Sequence, residues 1–334
     1  MAKRSKDTDY LFLSTRIHVL ERSLFTRERM DRMLDAQTNE EAAKVLVECG
    51  YPEMSVVDVD GVNATLAAMR DKVFEELYAD APDPKLIDVF KVKYDYHNVK
   101  TLLKSQAMGV DPGRLLVEAG RFPAAELAEK MKGASLSGLP ERFAAAIREA
   151  REVLNTTGDP QLSDFVLDRA YFDEMGSLAR ATGSTFLMGY VEKLVDVANL
   201  RSLVRVRRMG KREAYLKKTL FEGGSVSAHA LLKMMEEGVD LETIYGTTAL
   251  SDAAAAGEAA ISGGGTLTAF EKACDNALMA YVAQAKYVPF GDATVIGYLV
   301  ARDNELTAVR IIMTGRLAGL APEIIRERMR ESYV

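Results

Sequence analysis

The spacing of hydrophobic and polar residues is helical along nearly the whole chain, with apolar residues recurring every three or four positions. The longest such pattern follows Asp83 and Pro84, runs unbroken from Lys85 to Met108 and stops at Gly109. We expect Asp83 to cap this helix and Pro84 to occupy its first turn. At about 1.5 Å per residue the helix would be a rod of about 36 Å. Alternating β-branched runs, which are typical of strands, do not stand out, so the sequence predicts an all-α fold.

Capping signals predict where several other helices begin. A capping box pairs a Ser or Thr cap with a Glu three positions later. The sequence has this pattern at 38–41 and at 268–271. The first box opens a predicted helix over 42–49 that stops at Gly50, and Ser227 is the predicted cap of a further helix.

A short motif occurs three times along the chain, with copies beginning 101 and then 109 residues apart. The motif begins with an acid. The residue three positions after the acid is Asn in two copies, and the residue five positions after the acid is basic. Apolar residues lie between and after these positions. The three copies are Asp95, Asn98 and Lys100; Asp196, Asn199 and Arg201; and Glu305, Ala308 and Arg310.

Two further features repeat with the motif. The loop glycines Gly109, Gly210 and Gly319 keep the same offsets, and a block at 116–127 recurs at 220–231 with an insertion of three residues. A period of about 100 residues is too long for a short-repeat solenoid. We therefore interpret the chain as three similar small helical domains in series, and their predicted ranges are 1–110, 111–212 and 213–334.

Each copy of the motif places one acid at the end of an apolar helix stripe, because positions i, i+4, i+7 and i+8 share a face. A carboxylate in that place is partly desolvated and needs a partner. The basic residue lies about 140° round the helix, so we expect it to pair with another helix. We interpret the motif as a packing and registry device, with catalysis or ion binding by the three acids as the alternative.

Composition and charge narrow the class of protein. Hydrophobic residues make up 48% of the chain and charged residues 28%, which is typical of globular proteins. The net charge of −6 argues against a protein that coats nucleic acid. Cys49 and Cys274 are predicted to be buried free thiols. No apolar run matches a signal peptide or a membrane span, so we expect a soluble, cytoplasmic chain.

The sequence nominates no active site. His18, His97 and His229 do not form a Glu-x-x-His pair, and the glycine-rich segment 262–266 lacks the Lys-Ser/Thr of a phosphate loop. We therefore predict no catalytic residue, no cofactor and no metal.

A basic stretch runs from Arg201 to Lys218. Three interpretations are open for it: a solvated face, a docking surface for an acidic protein partner, and a nucleic-acid contact. The residues that we nominate for partner docking are Arg205, Arg207, Arg208, Lys211 and Arg212.

The last fifty residues add a family signal, carried by the segments 286–291, 296–302, 305–315 and 322–334. Together with the copies at Asp95 and Asp196, these segments closely resemble the C subunit of the archaeal and bacterial A/V-type rotary ATPases. The equivalent protein in eukaryotic vacuolar ATPases is the d subunit. The resemblance covers essentially the whole chain.

The resemblance implies a funnel of three helical domains around a pseudo-threefold axis. Such a protein sits between the proteolipid rotor ring in the membrane and the central shaft made by the D and F subunits. It transmits torque for ATP-linked proton or sodium transport, carries no catalytic residues and lies at the cell membrane through its partners. The alternatives are a helical scaffold or adaptor unrelated to ATPases, and a helical enzyme, which would need an acid-rich pocket or a metal cluster.

Overall fold

The computed structural model describes residues 5–133, 135–210 and 213–334. Within these ranges the regular structure is helical and contains no strand, which confirms the all-α prediction. The helices that begin in the first half of the chain are α1 (Leu11–Leu20), α2 (Arg27–Asp35), α3 (Asn39–Glu48), α4 (Val59–Asp80), α5 (Lys85–Met108), α6 (Ala124–Lys132), α7 (Glu141–Thr157) and α8 (Pro160–Thr182). The second half contributes α9 (Thr185–Arg208), α10 (Glu213–Thr219), α11 (Ala228–Glu236), α12 (Leu241–Tyr245), α13 (Ser251–Ser262), α14 (Leu267–Val282), α15 (Asp292–Leu317) and α16 (Pro322–Arg328). Short 3-10 turns lie at Asp7–Tyr10, Glu21–Ser23, Gly113–Leu115 and Ala283–Tyr287.

The predicted helix starts are confirmed at two caps and corrected at two. The side chains of Thr38 and Ser227 accept backbone N–H groups at the first turns of α3 and α11. The bounds predicted for α5 are confirmed, but Pro84 itself is the N-cap, so the assignment of Asp83 as cap is wrong. The second capping box is also wrong, because Thr266 caps α14 and places Thr268 inside the helix.

The three loop glycines are confirmed as helix-ending residues. Gly109, Gly210 and Gly319 follow α5, α9 and α15 and have φ angles of 66°, 59° and 70°. Glycine adopts this left-handed conformation at low cost, and it reverses the chain after a helix. The spacing of the glycines therefore marks the ends of three corresponding long helices.

The chain divides into two compact units. Unit 1 combines the residues up to Asp83 with Gly238–Val334, and unit 2 comprises Pro84–Glu237. In unit 1, α15 is the central helix and packs against α1 to α4, α14 and α16, with Ala293–Arg302 buried all round. In unit 2, α8 packs against α5, α7 and α9. Cys49 and Cys274 are buried thiols outside any disulfide, as predicted. The division into three domains stays a prediction.

Each of the long helices α5, α9 and α15 is contacted by a loop that leads into a short helix. α2, α6 and α11 are all nine residues long, and each is preceded by a loop that faces one of the long helices. The contacts between these loops and the long helices bring the motif acids to their partners.

Candidate functional site: three acid–loop ties and a basic surface

The first motif acid, Asp95, lies fully buried on α5 and binds the loop that leads into α6. Its carboxylate accepts hydrogen bonds from the backbone N–H of Arg121 at 2.8 Å and from the Arg121 Nε at 2.6 Å. One turn further on, the Asn98 side chain accepts from the N–H of Val117 at 2.9 Å and donates to its carbonyl at 2.8 Å. We call this arrangement an acid–loop tie.

The second motif acid, Asp196, makes the corresponding tie between α9 and the loop before α11. Its carboxylate accepts from the backbone N–H of Ser225 at 2.8 Å and from the Ser225 hydroxyl at 2.7 Å. Asn199 binds both backbone groups of Phe221, at 2.8 and 2.9 Å. Ser225 lies 29 positions after Asp196, whereas Arg121 lies 26 positions after Asp95. The difference of three equals the insertion seen in the sequence repeat.

The third motif acid, Glu305, binds a loop from the opposite end of the chain. It lies buried on α15 and accepts from the backbone N–H of Phe25, at 2.7 Å, just before α2. It also accepts hydrogen bonds from the Tyr51 hydroxyl and the Arg302 guanidinium. The third tie is therefore closed by the N-terminal segment, within unit 1.

The third tie lacks the asparagine contact. Ala308, at the Asn position, is buried and apolar. The chain that approaches Glu305 is helical as far as Ser23, whose hydroxyl donates to the Leu20 carbonyl at 2.7 Å. Within this turn the backbone N–H of Leu24 donates to the Glu21 carbonyl at 3.1 Å.

Two glycines allow the loops to approach the acids. A Cβ atom on Gly120 would lie 2.4 Å from Oδ1 of Asp95, and one on Gly224 would lie 2.4 Å from Oδ1 of Asp196. Both distances are too short for any side chain. The repeated glycine in the second sequence block thus marks the point where bare backbone meets the buried carboxylate.

The carboxylates have different electrostatic partners. Arg121 bridges Asp95 to the buried Glu174, whose carboxylate lies 2.8 Å from Nη1 and also accepts from the Tyr96 hydroxyl at 2.9 Å. Ser225 takes the place of Arg121 in the second tie, so Asp196 is held by neutral donors. Burial raises the pKa of both Asp95 and Asp196 above the ordinary value, and the donors offset this only in part.

The basic residues of the motif have three different surroundings. Lys100 pairs with Asp168 on α8, across to another helix. Arg201 is half-buried and lines a cavity beside α8, whereas Arg310 is exposed on α15. The interpretation of the motif as a packing and registry device stays a prediction.

Part of the nominated docking stretch forms an accessible basic surface. Arg205 and Arg208 are exposed on the last turns of α9, and Arg207 is half-buried, with its Nε 3.2 Å from the Met235 sulfur. Lys217 and Lys218 are exposed on α10. We call these five residues the basic surface. Lys211 and Arg212, also nominated, lie outside the described residues.

Sequence reasoning missed the groups that complete the ties. Arg302 lies one turn before Glu305 on the same face of α15, so helical periodicity could have found it. Arg121 and Tyr51 lie away from the motif helices, and no local pattern connects them with the acids.

The described residues offer no group of three or more His, Cys, Asp or Glu side chains placed to hold a metal ion. None of the helices described above is both long enough and apolar enough to cross a membrane.

The family of the chain follows from comparison with known proteins. A family model described as ATP synthase (C/AC39) subunit matches residues 13–328. Because the match spans nearly the whole chain, the chain belongs to this family.

Individual relatives agree with this assignment. The chain is 22% identical over 329 residues to the C subunit of the V-type sodium ATPase of Enterococcus hirae, covering 97% of this chain and 99% of the relative. It is 23% identical over 339 residues to the C subunit of the A-type ATP synthase of Methanocaldococcus jannaschii, covering 95% and 85%. The A-type ATP synthase C subunit of Haloquadratum walsbyi is 26% identical over 345 residues, covering 95% and 96%. The resemblance predicted from the sequence is confirmed.

Proposed function

We propose that this chain is the non-catalytic central-stalk subunit of a V/A-type rotary ATPase. It would sit between the central shaft, made by the D and F subunits, and the proteolipid rotor ring, turn with them and transmit torque for ATP-linked proton or sodium transport. Membership of the family and the near full-length match to C subunits of sodium ATPases and ATP synthases support this role.

The observation that carries the proposal is the set of three acid–loop ties. A protein that passes torque must keep its helices in fixed register under load. Each tie joins a long helix to a loop through buried, charge-assisted hydrogen bonds, which are stronger and more directional than apolar contacts. Asp95, Asp196 and Glu305 are each at most 3% exposed, so water does not compete for these bonds. Stiff joints of this kind suit a coupler.

The three-domain funnel belongs to the same proposal. The ties at Asp95 and Asp196 involve corresponding residues of the repeat, which supports a repeated unit. Each of these two ties joins one of the proposed domains, 1–110, 111–212 and 213–334, to the next. The third tie joins Glu305 to Phe25 and Tyr51, so the first and last of these segments contribute to one core in unit 1. We propose a pseudo-threefold arrangement in which the chain ends meet.

Location and partners follow from the proposed role. The chain would lie on the cytoplasmic side of the cell membrane and reach it only through the ring. The basic surface is the candidate docking face for an acidic partner, since Arg205 and Arg208 are exposed on an otherwise acidic chain. ATP chemistry and ion passage would belong to other subunits, so the chain would need no cofactor.

A tagged pull-down tests the proposal. We expect the tagged chain, purified from mildly detergent-solubilised membranes of its own cells, to bring down catalytic ATPase subunits, the shaft subunits and the proteolipid ring, identified by mass spectrometry. Recovery only from the soluble fraction, with unrelated partners, would reject the coupler role and favour a helical scaffold or adaptor.

A further inference from the structure

Unit 2 contains a cavity of about 560 Å³ between α8, α9 and α10. It lies directly beside the basic surface, because Arg205, in the last turn of α9, and Met209, the residue that caps this helix, both line it. Ser202 and Ala198 form its wall about one and two turns before Arg205 on that helix. Its size is within the range of sites that hold a small molecule or the side chains of a bound segment.

Aromatic side chains form the apolar part of this cavity. Phe165 and Tyr215 pack edge to face with ring centroids 5.5 Å apart, and Phe172 and Phe221 are 4.2 Å apart. All four are only half-buried, so their rings face the opening as well as the core. Aromatic groups left accessible in a concave site are typical of an anchor point for a partner.

The charges around the opening are mostly positive. Arg201 and Arg205 line the cavity, and Arg208, Lys217 and Lys218 are exposed on the same two helices. Asp168 is the acid in the lining, and Lys100 of α5 already pairs with it. Basic side chains at the opening and aromatic side chains inside the cavity together favour a ligand that carries both acidic and apolar residues. The positive charge is a local feature, because the chain as a whole has a net charge of −6.

We infer that this cavity is the anchor pocket of the basic surface: it takes an apolar or aromatic side chain from an acidic segment of a partner protein. The acidic residues of that segment would pair with the exposed basic residues beside the opening, Arg208, Lys217 and Lys218. The inference rests on the proposed function only for the identity of the partner, which would be another component of the rotary complex. Buried aromatic and arginine contacts of this kind dominate the affinity of protein interfaces.

Ala198 offers a way to fill the cavity without touching the basic residues. It is half-buried in the wall of the cavity, and its counterpart in the first motif copy is His97, so the long helix accepts a larger side chain at this position. Ala198→Phe should occupy the cavity, and Ala198→Ser is the matched control. Melting temperatures of both variants establish that the fold is retained.

A peptide titration tests the pocket on the purified full chain. The probes are a synthetic acidic helical peptide with one central Phe and the same peptide with Ala there, followed by fluorescence anisotropy at low salt. We expect the Phe peptide to bind about tenfold tighter, because burial of one aromatic side chain is worth at least that factor. Ala198→Phe should abolish the preference, and Ala198→Ser should retain it. Equal binding of the two peptides, absence of binding, or an unchanged preference in Ala198→Phe would overturn the inference.

The same variants separate this inference from the proposed function. In the pull-down from membranes, we expect Ala198→Phe to recover at least several-fold less of the docked partner, with Ala198→Ser at the wild-type level. If both variants recover the complete complex, the coupler role stands and the anchor pocket is wrong. If the wild-type chain recovers no complex, the coupler role fails, and the peptide titration alone decides the pocket.

Discussion

Asp95 and Asp196 occupy the same position in two copies of one motif, yet their charges are balanced by different means. Asp95 faces the Arg121 guanidinium, whereas Asp196 faces the hydroxyl and backbone N–H of Ser225. A buried guanidinium left without its carboxylate costs more than a buried hydroxyl left with an amide, because only the first leaves a charge uncompensated. The same substitution should therefore have unequal effects at the two sites.

We expect Asp95→Asn to lower the free energy of unfolding by about 3 kcal/mol, because Arg121 loses one of its two buried carboxylate partners. Asp196→Asn should change it by less than about 1 kcal/mol, since an amide can accept the Ser225 N–H and donate to its hydroxyl. Urea unfolding of both full-length variants measures the difference. Equal losses of unfolding free energy at the two sites would show that the Arg121 guanidinium does not determine the effect of the substitution.

The raised pKa of Asp196 predicts a pH dependence of stability. Burial, the largest cause, makes the folded state hold the carboxyl proton more tightly than the unfolded chain does. The stabilisation from this proton is complete below the unfolded pKa and is lost as pH rises through the folded pKa. Asp196→Asn carries no such proton, so its stability relative to wild type should increase from about pH 4 to about pH 7. A difference that stays constant with pH would contradict the burial argument.

Arg316 links three helices of unit 1, α2, α3 and α15. It lies near the end of α15 and donates to the carbonyls of Leu34, Ala36 and Thr38 at 2.7, 2.8 and 2.9 Å. These carbonyls belong to the end of α2 and the link to α3, where the last helical carbonyls have no partner within their own helix. One guanidinium therefore fixes the turn between two helices on the central helix of unit 1.

We expect Arg316→Met to destabilise the chain by about 2 to 3 kcal/mol, because two partly buried carbonyls and one exposed carbonyl lose a charged donor. Hydrogen exchange should quicken first at residues 34–42, which would report local opening of the turn. The matched control is Arg310→Met on the same helix, where the exposed side chain predicts a change within about 0.5 kcal/mol. Similar effects of the two substitutions would show that the turn does not depend on Arg316.

The helices could be predicted more fully than their contacts. Periodicity placed α5 at its observed bounds, and the recurring glycines marked the ends of three long helices, because these signals are local. Thr268 was a wrong cap because two threonines compete within three residues and the structure uses Thr266. The sequence repeat identified Asp95 and the block at 116–127 as two separate features. Their contact is visible only in the folded structure, because no local pattern connects them. The backbone partner of Glu305 is Phe25, 280 positions away in the sequence, so the spacing of the repeats could not predict this contact.

Charge is unevenly distributed along the chain. The chain has 49 acidic and 43 basic residues, and yet Arg205, Arg208, Lys217 and Lys218 are exposed together at the ends of α9 and α10. Such a patch steers an acidic partner toward one face, and its contribution weakens with salt. We therefore expect these residues to affect assembly rather than folding.

We expect the triple variant Arg205→Glu, Arg207→Glu and Arg208→Glu to assemble at least about tenfold less well, because close like charges would replace attraction. Its melting temperature should remain near that of wild type, since two of the three side chains are exposed. Co-purification from membranes measures assembly. The control reverses exposed basic residues elsewhere in unit 2, at Lys132, Arg148 and Arg169. Undiminished co-purification and coupling of ATPase activity to ion pumping in the triple variant would remove the basic surface as a docking face.

The tie between Glu305 and Phe25 also sets an order of events during synthesis. The first and second ties join residues 26 and 29 positions apart, so each can close soon after its long helix leaves the ribosome. The third spans 280 positions. At a synthesis rate of about 5 to 20 residues per second, Glu305 is made roughly 14 to 56 seconds after Phe25. Over that interval the nascent chain exposes Phe25 and Tyr51, and chaperones have their longest access to unit 1.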